Sequence, residues 1–526
     1  MAAAGLLAGG WILWSCRRRT PVLPAVALVA LLAALVTLAQ LAGPVIVFRG
    51  DAALACLYLL GFALAVVVGQ FAAEEWGHKR AFESLAWLLL VGALVSVWLA
   101  LYQWQRLDYL GVFATDLDFG GRPFANFNQP NHLATLLVLG LVAAALLYDA
   151  GRFGGSTALV LIVLLGFGVA MTQSRGGLLA VAVGAVGLLG KGRSLGRRLA
   201  RRDVLIGVLL VLTMPLAWEG ANSLLGQVVG RTTADAASAG TRRLIHWSSM
   251  FDAVLRQPWV GYGWNQSVLA QFAVAPDHPP SFEVFSYSHN ILIDLVIWNG
   301  LPLGLFFIAG LGLWLRVAWR GADDSTTVLA LAGVIAVLVQ ALVEYPLYYT
   351  YFLLPIGLLI GVISATTMPQ AVLRVPAWLA PALLAVTGVL LAVITSDYLG
   401  LEADLRSLRF ERARIGTDRP RHELSHPLLL THVAAFAKFA RTPEREGMSA
   451  ADLGAMNAVA HRFPSAENIV RYAAALALNQ HNVEATEVLR RICKMHHAAA
   501  CETQKALWQA LGQRQPAIAA VRWPVD

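Results

Sequence analysis

Apolar residues in this chain fall in long unbroken runs separated by short polar stretches. A helix needs about 20 such residues to cross a hydrocarbon core of about 30 Å at 1.5 Å rise per residue. The runs predict spans at 22–43, 52–72, 82–102, 131–148, 155–172, 177–190, 203–218, 290–315, 326–343, 351–368 and 376–396, with a short one at 1–15. The expectation is an all-α polytopic membrane protein with about 12 transmembrane helices. A secretory signal peptide over 1–20 fits less well, because Arg17, Arg18 and Arg19 follow the apolar stretch instead of preceding it. The pattern changes after residue 396. From 397 to 526, charged residues and Ala recur at helical spacing, which predicts a small all-helical domain beside a transmembrane domain over 1–396.

Basic residues set the orientation. Arg17 to Arg19, Lys79 and Arg80, Lys191 to Arg202, Arg316 and Arg320, and Arg374 fall on one side if the spans alternate strictly. The positive-inside rule makes that side the cytoplasm. The opposite side receives the loop at about 103–130, the long loop at about 219–289 and the region 397–526. In a bacterium that side is the periplasm, and the membrane is the inner one.

Composition narrows the class further. The chain is 526 residues long, 58% hydrophobic and 14% charged, with mean hydropathy +0.62. These values exclude a disordered chain, a collagen and a disulfide-dense secreted scaffold. The net charge is +8, but the Arg and Lys sit in short clusters between apolar runs. They read as topology signals, not as a nucleic-acid surface. Cys16 and Cys56 lie in or beside apolar runs, while Cys493 and Cys501 lie eight apart in the polar C-terminal region. An oxidising compartment would allow the latter pair to form a disulfide.

Four polar stretches stand out, all on the side opposite the basic clusters. Arg122, Asn126, Asn128, Gln129, Asn131 and His132 crowd the start of one span, more polar groups than a helix cap needs. Ser174-Arg175-Gly176 opens another, and an Arg at membrane depth is costly unless it has a partner or reaches the interface. Arg242 and Arg243 lie in the long loop ahead of Trp247, on a segment suited to lie on the membrane. Ser288-His289-Asn290 sits where that loop returns to the membrane. A carboxylate, Glu344, interrupts a further span and could position a cation or a hydroxyl, or mark a reentrant turn.

Together these stretches resemble the superfamily of bacterial O-antigen ligases, O-antigen polymerases and O-linked protein oligosaccharyltransferases. The stretch Asn126-Phe127-Asn128-Gln129-Pro130-Asn131-His132 looks most like the pilin-glycosylating branch. The resemblance covers roughly residues 20–400. It implies transfer of a preassembled glycan from undecaprenyl pyrophosphate to an acceptor hydroxyl in the periplasm, inverting and without metal or cofactor. It implies that Arg175, Arg243 and His289 are the catalytic set, with adjacent Arg242 leaving the register of the loop Arg open. Arg122, Asn126, Asn128, Gln129, Asn131, His132, Arg242 and Asn290 would then bind sugar or acceptor.

The chemistry suits these residue types. A lipid pyrophosphate leaves as a stable anion, so what it needs is cationic support, which the planar Arg fork supplies bidentately. A neutral hydroxyl must lose a proton as it attacks, which suits a His. The partners expected are a lipid-linked oligosaccharide, an acceptor protein and membrane lipid. One rival reading is the same transfer to lipid A–core sugar (ligase) or to a growing chain (polymerase). Another is a transporter or flippase for lipid-linked sugars, though no internal repeat is visible and the motifs cluster at one face. Asp116-Leu117-Asp118 has the spacing of a metal–nucleotide-sugar motif, but it falls on the side where nucleotide sugars are not made.

Overall fold

The computed structural model describes residues 10, 22–118, 120–196, 198–226, 233–370, 372–376, 378–415 and 425–524. The expected span at 1–15 lies outside them apart from residue 10. The apolar runs are helical: α1 Ala25–Ala42, α2 Arg49–Trp76, α3 His78–Trp104, α4 Pro130–Asp149, α5 Gly155–Met171, α6 Arg175–Gly190 and α7 Arg201–Leu225. Two amphipathic helices follow in the long loop, α8 Thr233–Arg256 and α9 Ser267–Val274. Then come α10 Ile291–Gly321, α11 Ser325–Ala341, α12 Thr350–Thr367 and α13 Leu379–Ala413. Eight of these helices are long and apolar enough to cross a membrane, namely α1 to α4, α7, α10, α12 and α13. Helices α5, α6 and α11 are apolar but shorter. The set fits a polytopic membrane protein.

Close packing of backbones replaces the hydrophobic drive that lipid removes. Between α2 and α12, a Cβ on Gly69 would lie 2.2 Å from the Leu358 carbonyl and one on Gly361 would lie 2.1 Å from the Val66 carbonyl. Only glycine lets these two helices touch.

The two faces of the bundle are built differently. At one, the strand Val22–Pro24 pairs antiparallel with Val372–Arg374, Lys191 donates to the Ala322 carbonyl, and Arg152 pairs with Glu83. This is the face of the basic clusters. The opposite face carries the C-terminal helices α14 Thr431–Arg441, α15 Ala450–Arg462, α16 Ala466–Leu478, α17 Asn482–Met495, α18 Ala498–Arg514 and the short α19 Pro516–Ala519. Helix α13 runs on without a break from the bundle past residue 396 to Ala413.

Helices α15 to α18 bury their apolar stripes in a core that includes Ile469, Val470, Ala473, Leu476 and Leu489 and also takes in Phe272 of α9. Ser449 and Ser465 cap α15 and α16 through their side chains. Cys493 and Cys501 form a disulfide with Cα atoms 5.0 Å apart, tying the end of α17 to α18. Cys56 is free and buried. Polar contacts seat this region on the bundle. Arg462 grips buried Asp51 at the start of α2, with Nη2 2.8 Å from Oδ1. Arg491 donates to the Phe272 carbonyl at 2.8 Å. The backbone N–H of Ser281 donates to the Lys494 carbonyl at 2.8 Å. The last two contacts hold the loop that leads to His289.

Candidate functional site

Three of the polar stretches open helices by one backbone plan. Asn128, Gln173 and His289 are left-handed, with φ of 54°, 48° and 58°. Each is followed by an extended residue whose side chain caps the helix. Gln129 accepts from Asn131 N–H at 2.7 Å, Ser174 from Gly177 N–H at 3.1 Å, and Asn290 from Leu292 N–H at 3.0 Å. Helices α4, α6 and α10 begin at the next residue, so their positive ends share one face.

The first turn of α6 is seated against the ends of α11 and α4. A Cβ on Gly176 would lie 2.4 Å from Gln340 Oε1, and one on Gly177 would lie 2.9 Å from the Ala134 Cβ. Arg175 thus starts its helix beside residues 340–343, directly ahead of Glu344. It is exposed, and its side chain makes no hydrogen bond or ion pair among the described residues.

Glu344 joins two more of the stretches. Its carboxylate is buried and its Oε1 accepts from Arg243 and, at 2.7 Å, from Asn131 Nδ2. A buried carboxylate is tolerable when paired and hydrogen-bonded in this way. It fixes Arg243 of α8 over the start of α4.

His289 completes the cluster. Its ring stands edge-on to Tyr345 at 4.9 Å and to Phe285 at 5.5 Å, and its Nδ1 lies 3.2 Å from the Tyr287 carbonyl. Burial pushes the imidazole down to about 4, and the Arg243 cation beside it acts in the same direction. It is therefore neutral at pH 7 and able to accept a proton. Tyr345 sits between the motifs, edge-on to the His132 ring at 5.3 Å, and is hydrogen-bonded to Gln129. Burial, with Tyr349 and Glu344 near it, pushes its phenol up to about 12, so it stays a donor. His132 is buried and packs on Tyr349 at 4.5 Å.

The other expected residues divide. Arg122 donates to the Thr172 carbonyl at 3.1 Å, which joins its loop to the Ser174 motif. Arg242 points to Glu283, with Nε 4.0 Å from Oε2. The Asn126 amide holds the preceding loop, donating to the Phe113 carbonyl at 2.9 Å and accepting from Thr115 N–H at 3.1 Å. Asn290 is occupied as a cap, and Asn128 is exposed. Asp116 and Asp118 are exposed as well, and no group of three or more metal-ligating side chains exists among the described residues.

His246, Tyr287 and Tyr345 lie inside polar stretches visible in the sequence but carried no assigned role there, and Phe285 lay outside them. A His within Arg-Arg-Leu-Ile-His-Trp and a Tyr beside the interrupting carboxylate were the available signals.

Comparison with known proteins places the chain in a family. Residues 123–148 match a family described as protein glycosylation ligase, residues 160–308 one described as O-antigen ligase, and residues 327–511 one described as virulence factor membrane-bound polymerase, C-terminal. A general O-oligosaccharyltransferase of Acinetobacter baylyi is 31% identical over 386 residues, covering 72% of this chain and 67% of that one. A ComP-specific O-oligosaccharyltransferase of the same organism is 28% identical over 300 residues, covering 56% of this chain and 54% of that one. No solved structure matches the chain significantly. The chain belongs to the O-oligosaccharyltransferases of the O-antigen ligase superfamily, a group of glycosyltransferases.

Proposed function

We propose that the protein moves a preassembled glycan from undecaprenyl pyrophosphate to a Ser or Thr hydroxyl of a periplasmic or pilin protein, without a metal and with inversion. Its place in this reading is the bacterial inner membrane, with the site and residues 397–526 facing the periplasm. The observation that carries the reading is the placing of Arg243 beside a neutral, half-buried His289, with Glu344 linking that Arg to Asn131. A cation and a base in one cluster, at the end of a helical bundle, suit a charged lipid donor and a hydroxyl acceptor. The two relatives, both O-oligosaccharyltransferases by name, favour a protein acceptor over a lipid one.

In this reaction the acceptor oxygen attacks the anomeric carbon of the first sugar and the bond from that carbon to the phosphate oxygen breaks. The hydroxyl proton passes to His289. The electron pair of the broken bond leaves on the pyrophosphate, whose charge Arg243 and Arg175 support. The positive ends of α4, α6 and α10 act in the same sense. Arg122, Gln129, Asn131 and Arg242 border the space for sugar or acceptor, with buried His132 packed behind them on Tyr349.

The test incubates the purified protein with lipid-linked glycan and a candidate acceptor protein. Glycosylated protein is expected, at full rate in excess EDTA. An extended lipid-linked glycan would assign a polymerase instead, and no product of either kind would contradict this reading.

A further inference from the structure

Two neighbouring side chains of α8, three and four residues beyond Arg243, hold the backbone that carries His289. His246 is 1% exposed, and its Nε2 lies 3.3 Å from the Tyr287 carbonyl oxygen. Trp247 donates Nε1–H to the next carbonyl, Ser288, at 2.8 Å. The Ser288 N–H donates in turn to Asp294 Oδ1 at 3.0 Å. The Tyr287 oxygen has a second nitrogen partner, His289 Nδ1, at 3.2 Å.

A carbonyl oxygen has two lone pairs and can only accept. Both imidazole nitrogens that face it must therefore carry hydrogen. His246 is the Nε2–H tautomer and His289 the Nδ1–H tautomer. The lone pair of neutral His289 is thereby assigned to Nε2, the ring atom away from its own main chain.

We propose that His246 and Trp247 are positioning residues. They anchor the carbonyls of Tyr287 and Ser288 so that His289 is held in the Nδ1–H tautomer, with Nε2 directed to the acceptor hydroxyl. This rests on the reading of His289 as the base. The turn needs such anchoring, because a left-handed non-glycine residue costs about 1–2 kcal/mol and relaxes unless its surroundings over-determine it. His246 also stacks on Phe285 at 4.1 Å, and Phe285 in turn packs edge-on against His289. Burial pushes His246 down to about 3, with His289 nearby adding to the effect, so it holds this carbonyl as a neutral donor. The helix that presents Arg243 to the phosphates is thus also the helix that aims the base.

A residue that merely fills space would be replaceable by any group of its shape. His246→Gln keeps an N–H near the place of Nε2, whereas His246→Phe keeps the ring and its stacking but removes the donor. Trp247→Phe likewise removes only the Nε1–H and part of the ring. In proteoliposomes with lipid-linked glycan and acceptor protein, His246→Gln is expected to keep kcat within about threefold of the parent. His246→Phe and Trp247→Phe are expected to lower kcat about 10- to 100-fold, a large part of what a general base contributes, with KM for the donor changed less than about threefold. The proposal is overturned if the two Phe variants turn over at the parent rate. It is equally overturned if His246→Gln and His246→Phe fall alike, in step with their thermal midpoints. His289→Ala, run in parallel, separates the two readings. If it transfers normally, the base assignment fails and the clamp with it. If it is inactive while His246→Phe is not impaired, the clamp alone fails.

Discussion

The turns around Asn128 and His289 share a backbone and differ in what surrounds them. Each places a left-handed residue before a side-chain cap and a helix. At Asn128 the left-handed side chain is exposed. At His289 it is enclosed by Phe285, Tyr287 and Tyr345, with α8 holding the two preceding carbonyls. Local sequence can build the turn. Only the packing of α8 and of the Glu344–Tyr349 segment makes one of the two turns a candidate base and leaves the other at the surface.

The largest expected effect breaks the comparison at its reactive end. His289→Ala should lower kcat by about 10²- to 10⁴-fold with donor binding retained, read as single-turnover transfer beside donor affinity. Arg243→Lys should lower kcat/KM by about tenfold or more, because a point charge replaces the planar fork on the pyrophosphate. Glu344→Gln should follow in the same direction with a smaller loss, since it weakens the partner that fixes Arg243.

Acidity sharpens the same contrast. In the free enzyme His289 titrates at about 4, so the acid limb of kcat/KM should lie well below 6.5. A phosphate on Arg243 offsets the cation that holds His289 down. The acid limb of kcat should therefore lie at higher pH than that of kcat/KM. Coincident limbs near 6.5 would contradict the burial of His289. Buried His246 and half-buried His289 together predict a stability change. His246 and His289 titrate at about 3 and about 4 when folded, against 6.5 for the free side chain. Below 6.5 the unfolded chain binds protons that the native chain refuses, so stability falls as pH drops from 6.5 toward 4. The thermal midpoint should fall over this window, and less so in His246→Gln.

The smallest effect lies at the other turn. Asn128→Gly should leave transfer within about threefold and raise the thermal midpoint slightly, since glycine adopts the left-handed conformation without strain. A large loss of activity there would show that Asn128 touches a substrate.

The spans were legible because apolar runs have a length and a period. Expected spans 131–148, 326–343 and 351–368 correspond to Pro130–Asp149, Ser325–Ala341 and Thr350–Thr367. The ends were less legible where a helix projects beyond the apolar layer with polar residues, as α2 does to Trp76 and α13 to Ala413. The three polar turns were visible as clusters. Their partners were not, because the pairing of Arg243 with Glu344 spans 101 positions and depends on tertiary packing. The left-handed state of His289 carried no glycine signal, and His246 stood beside two Arg that drew the attention of a charge-based reading.

The most direct test of the central claim is a double-mutant cycle on Arg243→Ala and His289→Ala, with kcat/KM for glycan transfer to protein as the readout. If the guanidinium and the imidazole serve one transition state, the double variant loses far less than the product of the two single losses. If the two losses multiply in full, the residues act independently and the shared site is refuted.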